Sequence, residues 1–206
     1  MTTADCLQCY RNDVQETESF IAEAHILDAS GHYVHPLDYR DFVISSAVER
    51  FSIAWESFME NTYCSFLMGE PDTQGRSVPC CVTAADEKHA HQLLIGINRY
   101  FDWTEPDLII RLSTLYLGQD NPIKTAIKSV RSDLMDIKTI RNAAAHISVT
   151  TQNKLDALAS RLYGTQQINT TVASVVHFIC PDGKTLWEYY KDLLDVAAEN
   201  VVKGVV

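Results

Sequence analysis

Apolar residues recur at helical spacing through the stretch 121–146, and this pattern constrains the fold more than any other feature of the chain. Asn121 and Pro122 are typical of a helix start, an N-cap followed by proline at the first helical position. The apolar positions that follow are Ile123, Ala126, Ile127, Val130, Leu134, Ile137, Ile140, Ala144 and Ala145. They predict one long amphipathic helix that buries this stripe. At roughly 100° per residue, Arg141 falls in the middle of the stripe, in line with Ile123.

The rest of the chain repeats this periodicity, and we therefore predict an all-α fold. The other predicted helices cover residues 5–27, 38–68, 83–100, 104–118, 150–164 and 185–202. Within them, Thr83 and Asp86 resemble a capping box that opens the third helix. The stretch 168–180 is rich in β-branched residues, which favours a strand, yet no partner strand is evident. We predict a helix or an irregular segment there.

Length and composition favour one domain. The chain has 206 residues, of which 46% are hydrophobic, enough for a core without disulfides. We expect residues 1–206 to form a single domain, with the helix in residues 1–30 either part of it or a peripheral addition. No run approaches 18 apolar residues, and the first residues lack a basic region followed by an apolar one. We therefore expect no membrane association and a cytoplasmic protein.

The segment from Arg141 to His146 contains two side chains that can bind a phosphate and transfer a proton. Arginine is always charged and presents a planar fork of donors to phosphate oxygens. Histidine can exchange a proton near neutral pH. Asn142 and three alanines separate the two, so the segment is helical and slender. The alternative interpretation is that both residues only complement the negative end of the helix dipole.

This segment resembles a known signature. Ile140 to His146 reads I-R-N-A-A-A-H, which is similar to the R-x4–6-H motif of the HEPN superfamily in its common "RN…AH" form. The stretch 54–60, A-W-E-S-F-M-E, resembles an early helix of the RiboL-PSP-type branch. The resemblance implies a HEPN-like helical bundle, here with additional peripheral helices, that dimerises so that two motifs share a cleft. Many members are metal-independent endoribonucleases of toxin–antitoxin or other defence systems, and others only bind nucleotides or proteins.

The same resemblance implies three roles. Arg141 would bind and polarise the scissile phosphate, His146 would act as general acid and base, and Asn142 would orient the phosphate or the imidazole. A toxin branch of the superfamily carries a tyrosine shortly after the histidine, which its antitoxin modifies. Residues 147–150 contain none, so control by adenylylation at that position is not expected. The expected partners are RNA, a second copy of the chain, and an antitoxin or other regulatory protein.

Other features restrict the chemistry. Six cysteines without a secretion signal are expected to be free thiols. The pair Cys6 and Cys9 lacks a second C-x-x-C, so we predict neither a metal nor another cofactor. We expect His89 and His91 to lie on the surface, and Glu49, Glu56 and Glu60 on a solvated or dimer-edge helix face. The formal charge of −10 predicts that any RNA contact is confined to a small cluster around Arg141. It equally favours a module without catalytic activity.

Overall fold

The computed structural model describes residues 1–96, 101–146 and 148–206, and the all-α prediction is confirmed. Helices make up 67% of the described residues. The helices are α1 (Thr3–Ala24), α2 (Leu37–Leu67), α3 (Glu87–Ile95), α4 (Pro106–Leu117), α5 (Pro122–Ser129), α6 (Arg131–Ala145), α7 (Val149–Tyr163), α8 (Val172–Val176) and α9 (Leu186–Val202). Over these three ranges no strand forms, and β pairing is limited to isolated bridges, Leu27 with Tyr33 and Ile179 with Thr185.

Several predicted boundaries hold closely. Helices α1 and α2 begin and end within three residues of the predicted positions. The stretch 168–180 contains the short helix α8 and irregular chain, as predicted. The start of α3 was predicted wrongly. Its N-cap is Asp86, whose carboxylate accepts the His89 N–H at 2.8 Å, because a carboxylate caps a helix directly without help from Thr83. Helix α3 ends at Ile95, and the predicted continuation over 97–100 lies outside the described residues.

The long helix predicted over 121–146 is two helices. Asn121 caps α5 as predicted, since its side-chain oxygen accepts the Lys124 N–H at 2.8 Å. At Val130 the backbone leaves helical geometry, with φ −115° and ψ 17°, and α6 begins at the next residue. The alignment of Arg141 with Ile123 is therefore wrong, because the rotation per residue is not continuous across the break. The direction in which Arg141 projects is set by its position within α6 alone.

Contacts between Cα atoms divide the chain into two compact units. Unit 1 contains residues 1–11, 54–135 and 193–206. Its core contains a cluster of aromatic residues, where the Trp55 indole N–H donates to the Trp103 carbonyl at 3.2 Å and the Tyr63 hydroxyl donates to a carbonyl of α4 at 2.8 Å. Tyr10 of α1 is buried against Trp55 and Phe58. The N-terminal residues therefore contribute to this core.

Unit 2 contains residues 12–53 and 136–192, and it carries the predicted site. Its core is mainly aliphatic and comes from α1, α2, α6, α7, α8 and α9. The buried hydrophobic members are Val14, Ala24, Ile44, Ala47, Val48, Phe51, Ile137, Ile140, Leu155, Leu158, Ala159, Val172, Ala173, Val175, Val176, Leu186 and Tyr190. Across the described parts of both units, no helix is long and apolar enough to span a membrane.

Candidate functional site

Arg141 lies in the last turn of α6, directly after a core residue. Ile140 is 1% exposed and Ile137 is 4% exposed, so this face of α6 points into the core of unit 2. Arg141 projects about 100° round the helix from Ile140, at the edge of this buried face, and is half-buried. Its Nη1 donates to the side-chain oxygen of Asn142 at 3.1 Å. The neighbour in the motif thus restricts the orientation of the guanidinium.

His146 is the first residue beyond α6, and its backbone is held from both sides. Its N–H donates to the Asn142 carbonyl at 3.0 Å, which extends the helical pattern by one bond. Its carbonyl accepts the Thr151 hydroxyl at 2.5 Å. The side chain itself is exposed. The fold therefore presents an accessible imidazole on a fixed backbone, about 7.5 Å along the axis and about 140° round from Arg141 if ideal helical geometry is applied.

The turn after His146 is short because α7 is capped at once. Ser148 is its N-cap, and the Ser148 hydroxyl accepts the Thr151 N–H at 3.1 Å. The Ser148 N–H in turn donates to the Thr151 hydroxyl oxygen at 3.1 Å. This reciprocal capping box begins α7 at Val149 and fixes the chain on the far side of His146.

A groove of about 430 Å³ opens beside the alanine spacer of the motif. Ala143 and Ala144 form one wall, and the other walls come from α2, α7, α8 and the segment before α8. Its lining residues are Asp41, Phe42, Ser45, Ala143, Ala144, Thr151, Gln152, Leu155, Asn169, Thr170, Thr171, Val172 and Ala173. Within the described chain, Asp41 is the one charged residue of this lining, and neither Arg141 nor His146 belongs to it. The small side chains of the spacer thus leave room for a ligand.

Asp156 of α7 holds the segment that forms one wall of the groove. Its carboxylate accepts the Thr170 N–H at 2.8 Å, the Asn169 N–H at 3.1 Å and the Gln152 side-chain amide at 2.9 Å. These bonds, led by the one from the Thr170 backbone, lower the pKa of Asp156 below its ordinary value. Asn169 adopts φ +53°, a left-handed conformation that asparagine tolerates better than most residues. The segment is therefore shaped by a specific clamp.

Other predicted residues do not join this site. His91 is half-buried rather than a plain surface residue, because its Nδ1 lies 2.8 Å from the Glu60 carboxylate in unit 1. Glu60 is likewise engaged rather than only solvated. All six cysteines are free thiols. In the three described ranges, no group of three or more His, Cys, Asp or Glu side chains could hold a metal ion.

No protein-family model, curated protein or solved structure matches the chain. The HEPN resemblance therefore stands on the motif residues alone.

The groove and the clamp around it were not predicted from the sequence. Asp156, Asn169 and Thr170 are separated in the sequence from the motif, and carboxylate-to-backbone bonds across 13 or 14 positions leave no periodic pattern. The run of Asn169, Thr170 and Thr171 was a usable signal. Residues that bond to the backbone and tolerate unusual dihedral angles mark an ordered turn before a short helix.

Proposed function

We propose that the protein is a metal-independent endoribonuclease of the HEPN type in which Arg141, Asn142 and His146 are the catalytic residues. The observation that carries this proposal is the placement of His146. Its imidazole is exposed while its backbone is bonded on both sides, and Arg141 is half-buried five residues earlier beside Asn142. A histidine on a mobile chain terminus would contribute little to catalysis. A histidine whose backbone is held in place can contribute more.

The chemistry is an intramolecular transesterification of RNA. The ribose 2′-oxygen forms a bond to the adjacent phosphorus while His146 accepts the 2′-hydroxyl proton. The bond from phosphorus to the 5′-oxygen breaks, and that oxygen receives a proton from an imidazolium. The products are a cyclic 2′,3′-phosphate and a free 5′-hydroxyl. Arg141 stabilises the charge that develops on the non-bridging oxygens, and Asn142 orients the guanidinium.

The motif contains one histidine per chain, and this accounts for the homodimer in the proposal. Two His146 side chains in one shared cleft would supply one base and one acid for the same reaction. The proposed partners are thus RNA, a second copy of the chain, and an antitoxin or other regulatory protein in a cytoplasmic defence system. The acidic composition is compatible with a basic regulatory partner.

The decisive experiment is RNA cleavage by the purified protein in excess EDTA. We expect cleavage to persist and to stop when a 2′-deoxynucleotide occupies the cut site. His146→Ala should lower the rate by about 10²–10⁴-fold, the usual contribution of general acid–base catalysis. His32→Ala, which removes an exposed histidine of the same unit, is the matched control and should leave the rate unchanged. Loss of activity in EDTA, or equal cleavage of DNA, would contradict the mechanism.

Arg141→Ala separates a catalytic from a structural arginine. A catalytic role predicts loss of cleavage with little change in melting temperature. Marked unfolding of this variant, with His146→Ala fully active, would assign Arg141 to the fold instead. Mixing the unmodified chain with inactive His146→Ala tests the shared cleft, since mixed dimers with one His146 should be nearly inactive if the cleft needs both histidines, and half-active if each chain works alone. A protein that is monomeric at micromolar concentration would contradict the dimer.

A second candidate function is a module that binds a nucleotide or a partner protein without cleaving RNA. The groove favours it, because its lining carries amides, hydroxyls and Asp41 but no cation in the part of the chain that the structure describes. Such a lining suits a neutral polar group better than a phosphate backbone. Nucleotide binding measured by calorimetry, with no cleavage of any RNA even when the chain is expressed alone, would favour this function over the nuclease.

A further inference from the structure

Unit 2 contains a second cluster of cationic and aromatic side chains, drawn from three parts of the chain. His25 follows α1, Arg40 lies near the start of α2, and His177 follows α8. The Arg40 guanidinium carbon lies 3.7 Å from the centre of the Tyr33 ring. The Tyr33 and His25 rings meet edge to face at 6.0 Å, and His25 meets His177 in the same way at 5.7 Å. The four side chains form one continuous array.

Arg40 has no carboxylate partner within the described residues, whereas Arg11, Arg50, Arg76, Arg131 and Arg161 each have one. Its Nε is buried and makes no hydrogen bond there. Arg50, two turns or more further along α2, offers a direct comparison: it lies over the Phe20 ring at 5.2 Å but also pairs with Glu16 at 2.8 Å. Stacking on an aromatic ring therefore does not replace an anion in this helix. Arg40 has the stacking partner and lacks the anion.

The tautomer of His25 follows from its own contact. Its Nδ1 lies 2.8 Å from the Ile21 carbonyl oxygen. A carbonyl oxygen only accepts, so Nδ1 carries the hydrogen. In the neutral ring Nε2 is then the atom with the lone pair, and in the charged ring it is a second donor. His25 thus becomes a cationic donor when Nε2 takes up a proton.

The charges around His177 complete the description. Burial, and then the neighbouring charge of His25, lowers the pKa of His177 below its ordinary value. Arg40 acts in the same direction, while the Asp41 carboxylate and a bond to the Ala173 backbone act in the opposite one. His177 thus has two neighbours that are or can become cationic and one acidic neighbour, Asp41. A bound dianion would relieve the repulsion among the cationic groups and favour the protonated rings.

We propose that His25, Arg40 and His177 form a binding site for a phosphate monoester. Arg40 supplies a permanent charge and a planar set of donors, and the two imidazoles add donors once they are protonated. Tyr33 fixes the plane of the guanidinium. A bound phosphate favours the charged forms of the two imidazoles, so binding and protonation are coupled. The site is independent of Arg141 and His146, so it stands whether or not the protein cleaves RNA.

Titration with inorganic phosphate, followed by NMR of the histidine Cε1 protons, tests this site. We expect saturable shifts of two of the seven histidine signals, assigned with His25→Gln and His177→Gln, and an upward shift of both titration midpoints. Arg40→Gln should weaken binding about tenfold or more, the usual effect of losing a charged hydrogen-bond partner. Arg50→Gln is the matched control and should bind as the unmodified protein does. Should Arg40→Gln fail to fold, Arg40→Lys should retain the charge and bind more weakly.

Three probes identify the source of the phosphate. If adenosine 5′-monophosphate binds with the same affinity as inorganic phosphate, the site recognises the phosphate alone. If it binds more tightly, the site recognises a nucleotide. Adenosine should not bind at this cluster. Shifts that rise linearly without saturation, equal binding by Arg40→Gln and the unmodified protein, or equal binding of adenosine and its monophosphate would each overturn the proposal.

Discussion

The Asp156 clamp offers a sharp test of how the groove is built. Replacing Asp156 by alanine removes the acceptor for the Asn169 and Thr170 N–H groups and for the Gln152 amide. Hydrogen bonds to a charged acceptor contribute about 1.5–3 kcal/mol each when buried. Asn169 is exposed, so its N–H returns to water at little cost, whereas Thr170 is half-buried. We therefore expect a loss of about 2 kcal/mol, or about 4–8 °C in melting temperature for a chain of this size.

Urea unfolding at neutral pH, followed by circular dichroism, measures this loss. Asp156→Asn keeps one acceptor oxygen and loses the charge, so it should fall between alanine and the unmodified protein. Asp192→Ala is the control: it removes an exposed carboxylate that pairs with Lys184, and the melting temperature should stay within error. Hydrogen exchange should report faster opening of the Thr170 amide in Asp156→Ala. An unchanged melting temperature together with unchanged Thr170 protection would refute the clamp.

The clamp also predicts a direction in pH. The pKa of Asp156 is lower in the folded chain than its ordinary value of about 3.9. Its contribution to stability is therefore complete above that value and is lost as the pH falls through the folded-state pKa. The difference in unfolding free energy between the unmodified protein and Asp156→Asn should stay constant near neutral pH and shrink below about pH 4. A difference that grows on acidification would reverse the assignment.

Three further predictions concern the rest of the chain. Asn121→Ala should cost about 1–2 kcal/mol in chemical unfolding, because it removes the cap of α5. Leu134→Ala should cost about 2–5 kcal/mol, since its side chain is 0% exposed, whereas Met135→Ala on the neighbouring, 44% exposed position should change stability by about 0.5 kcal/mol or less. Among the six thiols, Cys9 and Cys81 are exposed and should react first with a thiol reagent, and mass spectrometry of the labelled peptides identifies them.

The helices could be predicted because periodicity reports which face is buried. The break at Val130 could not, since Ile127, Val130 and Leu134 keep helical spacing on both sides of it and all three are buried. One residue that leaves helical geometry changes the direction of the axis without changing which residues are apolar. Sequence patterns thus predict burial better than they predict the continuity of a helix.

The motif could be predicted as a segment but its surroundings could not. Arg141, Asn142 and His146 are close in sequence, so their relation follows from helical geometry. The groove beside them depends on α2, α7 and α8, and the His25, Arg40 and His177 cluster depends on three separate segments. Contacts between distant segments leave no local spacing to read. The reactive residues of one helix can therefore be predicted from the sequence, whereas the site that other segments form around them cannot.

The Thr151 hydroxyl oxygen has two roles, and this restricts which residues can replace Thr151. It takes part in starting α7, and its proton goes to the carbonyl of His146. A valine has the same outline and can do neither, while a serine can do both. Substitution at position 151 is thus restricted by two contacts, the cap of α7 and the bond to the His146 carbonyl. A residue without a hydroxyl loses both contacts at once.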